Sequence, residues 1–179
     1  FESLYNEALN HNSDLVCSNR QRICPKTNLT LSYCELIKID ILNSEEKVSY
    51  IFSNELDLMV CGKLIKKSLM IDNYLFFQNI YFEDMYIAPK IYFYAKNISF
   101  INKITYNWIY REDSTSNRFS MKHAIGIGGL LIDWTNFLIK ENIYEIFEKD
   151  MLKKFLFWLY WAEERANKFI IKIEEKNKV

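Results

Sequence analysis

The stretch Ile80-Tyr81-Phe82-Glu83-Asp84-Met85-Tyr86 decides how the chain is read. Two adjacent carboxylates follow an apolar run. Residues 85–96 then carry Ile87, Ile91, Tyr94 and Ala95 at steps of three and four, the spacing of one helix face. Asp84 falls at the N-cap or in the first turn, where the positive end of the helix dipole favours an ionised carboxylate. A carboxylate so placed does one of two things. It caps the helix, with Glu83 solvated beside it, or it accepts a proton from a substrate hydroxyl.

Working outward, Pro89 sits just past the first turn and predicts a local irregularity. Upstream, Leu58-Met59-Val60-Cys61 reads as a strand and Gly62 as the turn out of it. Residues 63–71 read as a helix with Leu64, Ser68 and Ile71 on one side. Downstream, residues 98–101 and 104–110 read as two strands of a hairpin around Asn102-Lys103, although Asn-Lys is not a favoured turn pair. Residues 111–117 form a polar loop, and two helices, 120–140 and 144–173, complete the chain. Gly126, Gly128 and Gly129 in the first of these lack the preceding strand of a dinucleotide fingerprint and point to close helix packing or a local break. In the second, Leu152, Phe155, Leu156, Leu159, Ala162, Ala166 and Phe169 make one apolar stripe, which leaves Phe157, Trp158 and Trp161 on other faces.

The opening of the chain reads as a helix with Phe1, Leu4, Tyr5, Ala8 and Leu9 on one side, then a short buried strand over residues 14–18. An apolar helix at the first residue suggests a fold entered part-way, with a strand and loop expected before it. Residues 19–58 show little pattern. Arg20, Arg22 and Lys26 form a basic loop around Pro25, residues 36–42 alternate as a strand, and Ser44 caps a short helix.

Composition bounds the class. With 179 residues the chain is long enough for one domain with a real core. Half of them are hydrophobic and 16% aromatic, which excludes a disordered chain. Lys and Arg balance Asp and Glu, 23 against 23, and no dense basic tract points to nucleic acid as a partner. The spacings of Cys17, Cys24, Cys34 and Cys61 match no zinc pattern, so free thiols in a reducing cytoplasm are expected. His123 is either a late metal ligand or a surface or capping residue. No apolar run reaches the length of a membrane span.

The order of motifs adds a resemblance. The run Cys61-Gly62-Lys63-Leu64-Ile65-Lys66-Lys67-Ser68-Leu69 is followed by Phe82-Glu83-Asp84, then Ala95-Lys96-Asn97-Ile98, then Tyr110-Arg111-Glu112-Asp113-Ser114. This series resembles the C-terminal half of family 2 glycosyltransferases of the bacterial surface-polysaccharide type. The opening residues 1–16 are similar to the helix and strand that follow that family's Asp-x-Asp motif. The resemblance implies an α/β, partial GT-A (nucleotide-diphospho-sugar transferase-like) fold, with the acceptor-side half over residues 1–118 and a C-terminal helical extension over 119–179. It implies inverting transfer of a sugar from a nucleotide-sugar donor to a hydroxyl of a glycan or glycolipid acceptor. Asp84 takes the role of base, with Glu83 beside it.

Lys63, Arg111 and Ser114 are the expected substrate-binding residues. Arg111 either stabilises the leaving diphosphate or pairs with Glu112 or Asp113. Lys63 either lines the acceptor site or lies on a solvated helix face. The complete family fold holds a divalent metal, Mg or Mn, whose Asp-x-Asp ligands are absent from this chain. Cys61 stands where the family often has Trp, and no Gln-x-x-Arg-Trp motif is present, which argues against a processive synthase. The expectation is therefore a cytoplasmic chain inactive without a donor-binding half. The aromatics Phe157, Trp158 and Trp161 either pack against the preceding helix or a second copy, the commoner case, or sit at a membrane surface. The alternatives are a non-catalytic remnant and a helical interaction module in which Glu83-Asp84 only caps.

Overall fold

A computed structural model describes residues 1–35, 43–53, 56–111, 114 and 119–176, with side chains through Lys168. The elements run α1 (Glu2–His11), β1 (Leu15–Ile23), β2 (Thr30–Cys34), α2 (Ser44–Phe52), β3 (Lys63–Ile65), α3 (Lys67–Asp72), α4 (Glu83–Tyr94), β4 (Ile98–Ile109), α5 (Met121–Lys140) and α6 (Tyr144–Lys176). The chain divides into two compact units. One comprises Phe1–Gln78 and Asp84–Arg111, the other Asn79–Glu83 and Glu112–Val179.

The first unit is built on β1. Leu15, Val16 and Cys17 are each wholly buried, the pattern of a strand covered on both faces. Burial of a Leu or Val side chain contributes roughly 1.5–3 kcal/mol, so this short run anchors the sheet. Along one edge of β1 lies β4, parallel over its whole length from Leu15↔Ile98 to Ile23↔Ile109. Two antiparallel strands share the other edge, β3 against Leu15–Cys17 and β2 against Arg20–Ile23. Asp14 fixes the corner where β1 starts: its carboxylate accepts from the backbone N–H groups of Lys96 and Asn97 and from Lys66 Nζ at 3.0 Å.

Helix α4 is apolar on every side, with Met85 to Pro89, Ile91 and Tyr92 all buried, as a helix inside a core should be. It runs through Pro89 without interruption. Tyr92 Oη lies 3.6 Å from Cys17 Sγ, and Ser44 and Lys47 of α2 donate to the carbonyls of Phe93 and Ala95 at its end.

The second unit pairs α5 with α6. Ser120 and His123 form the capping box of α5, with Ser120 N–H donating to His123 Nδ1 at 3.1 Å. His123 is buried and its ring packs on Tyr81, Phe82 and Phe119 at 4.4, 5.9 and 5.6 Å. Phe82 also meets Trp158 and Trp161 at 6.2 and 6.0 Å. Gly126 allows the close approach. A Cβ there would stand 3.0 Å from the Tyr81 carbonyl oxygen, whereas the space at Gly128 is open.

Several expectations change. The hairpin of 98–101 and 104–110 is one strand, β4. Asn102-Lys103 is absorbed by a register shift opposite Ser18 and Asn19, where Asn19 Nδ2 donates to Asn102 Oδ1 at 2.8 Å. The expected strand at 58–61 is an irregular lead-in, and the expected helix at 63–71 opens with β3 before α3. Arg20 and Arg22 lie on β1, not in a loop. Asn43, not Ser44, caps α2, accepting from Glu46 N–H at 2.8 Å. Of the α1 stripe only Leu4 is buried. On α6 the expected core stripe is reversed: Leu156 and Leu159 are 64% and 45% exposed. Phe147, Met151 and Lys154 are the buried positions instead. The strand expected at 36–42 lies outside the described residues.

Candidate active site

Asp84 is the second residue of α4. The backbone N–H of Val60 donates to its Oδ2 at 3.3 Å. That bond joins the start of α4 to the turn Val60-Cys61-Gly62, so the two motifs read separately in the sequence form one corner. Gly62 makes the turn possible. Its φ is 76°, a left-handed conformation that only glycine adopts at little cost. Its carbonyl accepts from Ser18 N–H at 3.1 Å and from Ser18 Oγ at 2.7 Å. Ser18 Oγ also bonds Thr105 Oγ1, so β1 and β4 both hold the turn. Tyr106 completes the corner. Its hydroxyl is raised above the ordinary tyrosine value first by its hydrogen bond with the Cys61 thiol and further by the negative charge of Asp84.

Beneath the turn lies a charge cluster that the sequence reading missed. Arg20 grips Asp57 with two hydrogen bonds, Nε to Oδ2 at 3.1 Å and Nη2 to Oδ1 at 3.0 Å. Lys63 Nζ is 3.4 Å from Oδ2 and also donates to the Met59 carbonyl. Met59 N–H donates to Oδ1 at 3.2 Å, and Tyr92 Oη donates to the Asp57 carbonyl at 3.2 Å. Burial alone would raise the Asp57 carboxyl, but the Lys63 charge and the Arg20 fork outweigh it and hold the group below the ordinary carboxylate value. Burial pushes the neighbouring Cys17 thiol up to about 11, which leaves it no thiolate with which to act as a nucleophile.

Lys63 therefore does not lie on a solvated helix face. It is on a strand rather than a solvated helix face, its side chain is 2% exposed, and its ammonium is committed to Asp57 and Met59. Its part is to hold the turn. Glu83 is exposed at the first position of α4. Arg111 is exposed just beyond β4, and Ser114 is half-buried in the second unit. The ion-pair partners considered for Arg111, Glu112 and Asp113, lie outside the described residues. Period-two alternation running on from Val16 through Ser18, Arg20 and Arg22 was the available signal for a longer β1. Nothing local in the sequence joins Arg20 to Asp57.

Among the described residues no group of three or more His, Cys, Asp or Glu side chains converges, and Asp57 is already neutralised by two cations.

No protein-family profile matches the chain. A cholesterol galactosyltransferase of Borreliella burgdorferi (strain ATCC 35210 / DSM 4680 / CIP 102532 / B31) is 27% identical over 174 residues, 89% of this chain and 46% of the relative. The chain thus spans about half the length of that curated relative. Among solved structures, S. aureus TarS residues 1–349, in complex with UDP-GlcNAc, superposes with a TM-score of 0.53 at 18% identity, over 75% of this chain and 38% of TarS. That likeness shows the fold, a partial GT-A-like α/β arrangement with a C-terminal helical extension. With the curated relative, it supports kinship with glycosyltransferases. No described helix is long and apolar enough to cross a membrane.

Proposed function

We propose that the chain is the acceptor-side part of an inverting glycosyltransferase of family 2 type, with Asp84 as its base. The Asp84 carboxylate takes the proton of an acceptor hydroxyl, and that oxygen attacks the anomeric carbon of a nucleotide sugar. The bond to the diphosphate breaks on the opposite side. Arg111 is the cation proposed for the departing diphosphate and Ser114 a further substrate contact, while Glu83 orients neighbouring groups. The nucleotide sugar bound to TarS makes a uridine-diphosphate sugar the first donor to try, and the name of the curated relative suggests galactose and a lipid hydroxyl. Surface-polysaccharide or glycolipid synthesis is the setting this implies.

One observation carries the reading. The Val60 N–H bond to Asp84 closes the Cys61-Gly62-Lys63 turn onto the Glu83-Asp84 helix mouth, in a chain whose relatives transfer sugars. The carboxylate at the start of α4 thus also serves a separate turn. The test is a transfer assay on the polypeptide that carries this chain, with UDP-galactose and UDP-GlcNAc as donors and glycolipids as acceptors. Asp84→Asn keeps the shape and removes the base, so turnover should fall about a hundredfold or more with little change in melting temperature. The product should have the anomeric configuration opposite to the donor's. Transfer by Asp84→Asn at the parent rate overturns the base assignment. Absence of transfer from any nucleotide sugar favours a non-catalytic remnant instead.

A further inference from the structure

Along β1, Ser18, Arg20 and Arg22 alternate onto one face of the sheet. Their face holds Asp57, the turn at Gly62 and Tyr106, the neighbour of Asp84. In register with them on β4, Arg20 stands beside Tyr106 and Arg22 beside Trp108. The two arginines are treated differently. Arg20 is neutralised by Asp57. Arg22 instead packs on aromatic rings, its guanidinium carbon 4.8 Å from the centre of Trp108 and 4.3 Å from that of Tyr110, both within cation–π range. Its Nε is buried and finds no hydrogen-bond partner among the described residues.

Such an arginine is prepared rather than satisfied. The rings hold the guanidinium plane, so little side-chain freedom remains to be lost when its N–H edge is used. A buried donor without an acceptor costs free energy. Arg22 as a whole is only half-buried, and a guanidinium's paired N–H groups match the oxygens of a phosphate. Two and four residues along β4 from Tyr106, Trp108 and Tyr110 lie roughly 7 and 14 Å farther from the Asp84 corner. Tyr106 is 38% exposed, so a ring surface borders the way between them.

We propose that Arg22, held by Trp108 and Tyr110, is an anion subsite that binds a phosphate group carried by the acceptor. In this arrangement the reacting hydroxyl meets Asp84 while the phosphate sits along β4 from it. The word acceptor rests on the glycosyltransferase reading, while the anion site itself stands without that reading.

The experiment is a titration followed by NMR of the Arg22 Nε–H and Trp108 indole N–H signals, with glucose 6-phosphate, glucose and UDP as probes. Glucose 6-phosphate should shift both signals, and glucose at the same concentration should shift neither. Arg22→Gln should weaken glucose 6-phosphate binding about tenfold, with Arg22→Lys in between because it keeps the charge and loses the fork. Trp108→Leu, which keeps the charge and removes one ring, should also weaken it. Unchanged β1 and β4 amide signals establish that each variant is folded. Equal affinity for glucose and glucose 6-phosphate, or for the parent and Arg22→Gln, overturns the subsite. Displacement of glucose 6-phosphate by UDP at these same signals gives Arg22 to the donor diphosphate and overturns the acceptor assignment. The expected titration together with undiminished transfer by Asp84→Asn would leave the subsite standing and remove the base, so the two failures are distinguishable.

Discussion

Asp57 shows how much one side chain can organise without touching a substrate. It neutralises Arg20 and Lys63 at once, and its own backbone carbonyl takes the Tyr92 hydroxyl. Breaking a buried pair by removing one partner leaves an uncompensated charge. Asp57→Asn should therefore cost about 3 kcal/mol, at the lower end for buried pairs because Arg20 is partly exposed. Urea unfolding at pH 7 measures it, and an unchanged midpoint would show the cluster to be incidental. The pH dependence follows from the lowered Asp57 carboxyl. A depressed carboxylate stabilises the fold fully above its unfolded value of about 3.9, and that stability is lost as pH falls toward the folded value. Between pH 7 and pH 3 the parent should lose more stability than Asp57→Asn. At this scale the sequence was half legible. Asp84 announces itself through its neighbours, a carboxylate pair at the mouth of a periodic segment. Asp57 has no local mark, because its partners stand 37 positions before it and six after.

At the scale of elements, the turn at Gly62 links strand geometry to the proposed base. A side chain at position 62 would be strained by the φ of 76° and would bring a Cβ within 3.2 Å of Ser18 Oγ. Ser18 has little room to give, since its hydroxyl already bonds Thr105 and the Gly62 carbonyl. Gly62→Ala should cost roughly 1–2 kcal/mol from the left-handed backbone alone. It should also pull Val60 N–H from Asp84, so transfer should fall more than the stability loss explains. Parent-like turnover with lowered stability would separate the turn from the catalysis. Helices α1, α2, α4, α5 and α6 were legible because each spans two or more turns of periodic sequence. β3 was read as helix because three residues are too few to display a period of two. β4 was split in two because a parallel partner more than eighty residues away leaves no local trace, and Asn102-Lys103 then looks like a turn rather than a register shift.

At the scale of the whole molecule, the second unit reverses the expected use of α6. Trp158 and Trp161, expected either to pack against protein or to meet a membrane, join Phe82, Phe119 and His123 in one aromatic cluster. Of the three aromatics behind the membrane expectation, only Phe157 is left exposed, at 51%. The misreading has a physical origin. A long helix with apolar residues on most of its faces offers several equally good stripes, and only its packing partners choose among them. Here the choice falls to residues of the segment 79–83, where Phe82 adopts a φ of 66°, a conformation costly for a bulky side chain. Phe82 meets Trp158 and Trp161 at 6.2 and 6.0 Å, and the two indoles meet each other at 5.5 Å. Replacing both should therefore behave as a core deletion. Each large-to-small change of a buried aromatic costs about 3–5 kcal/mol, less where the ring is half-exposed as here. Trp158→Ser with Trp161→Ser should strip hydrogen-exchange protection from α5 and α6, while the amides of β1 and β4 keep theirs. Full protection of α5 and α6 in the double variant would return these indoles to the surface and restore the membrane reading.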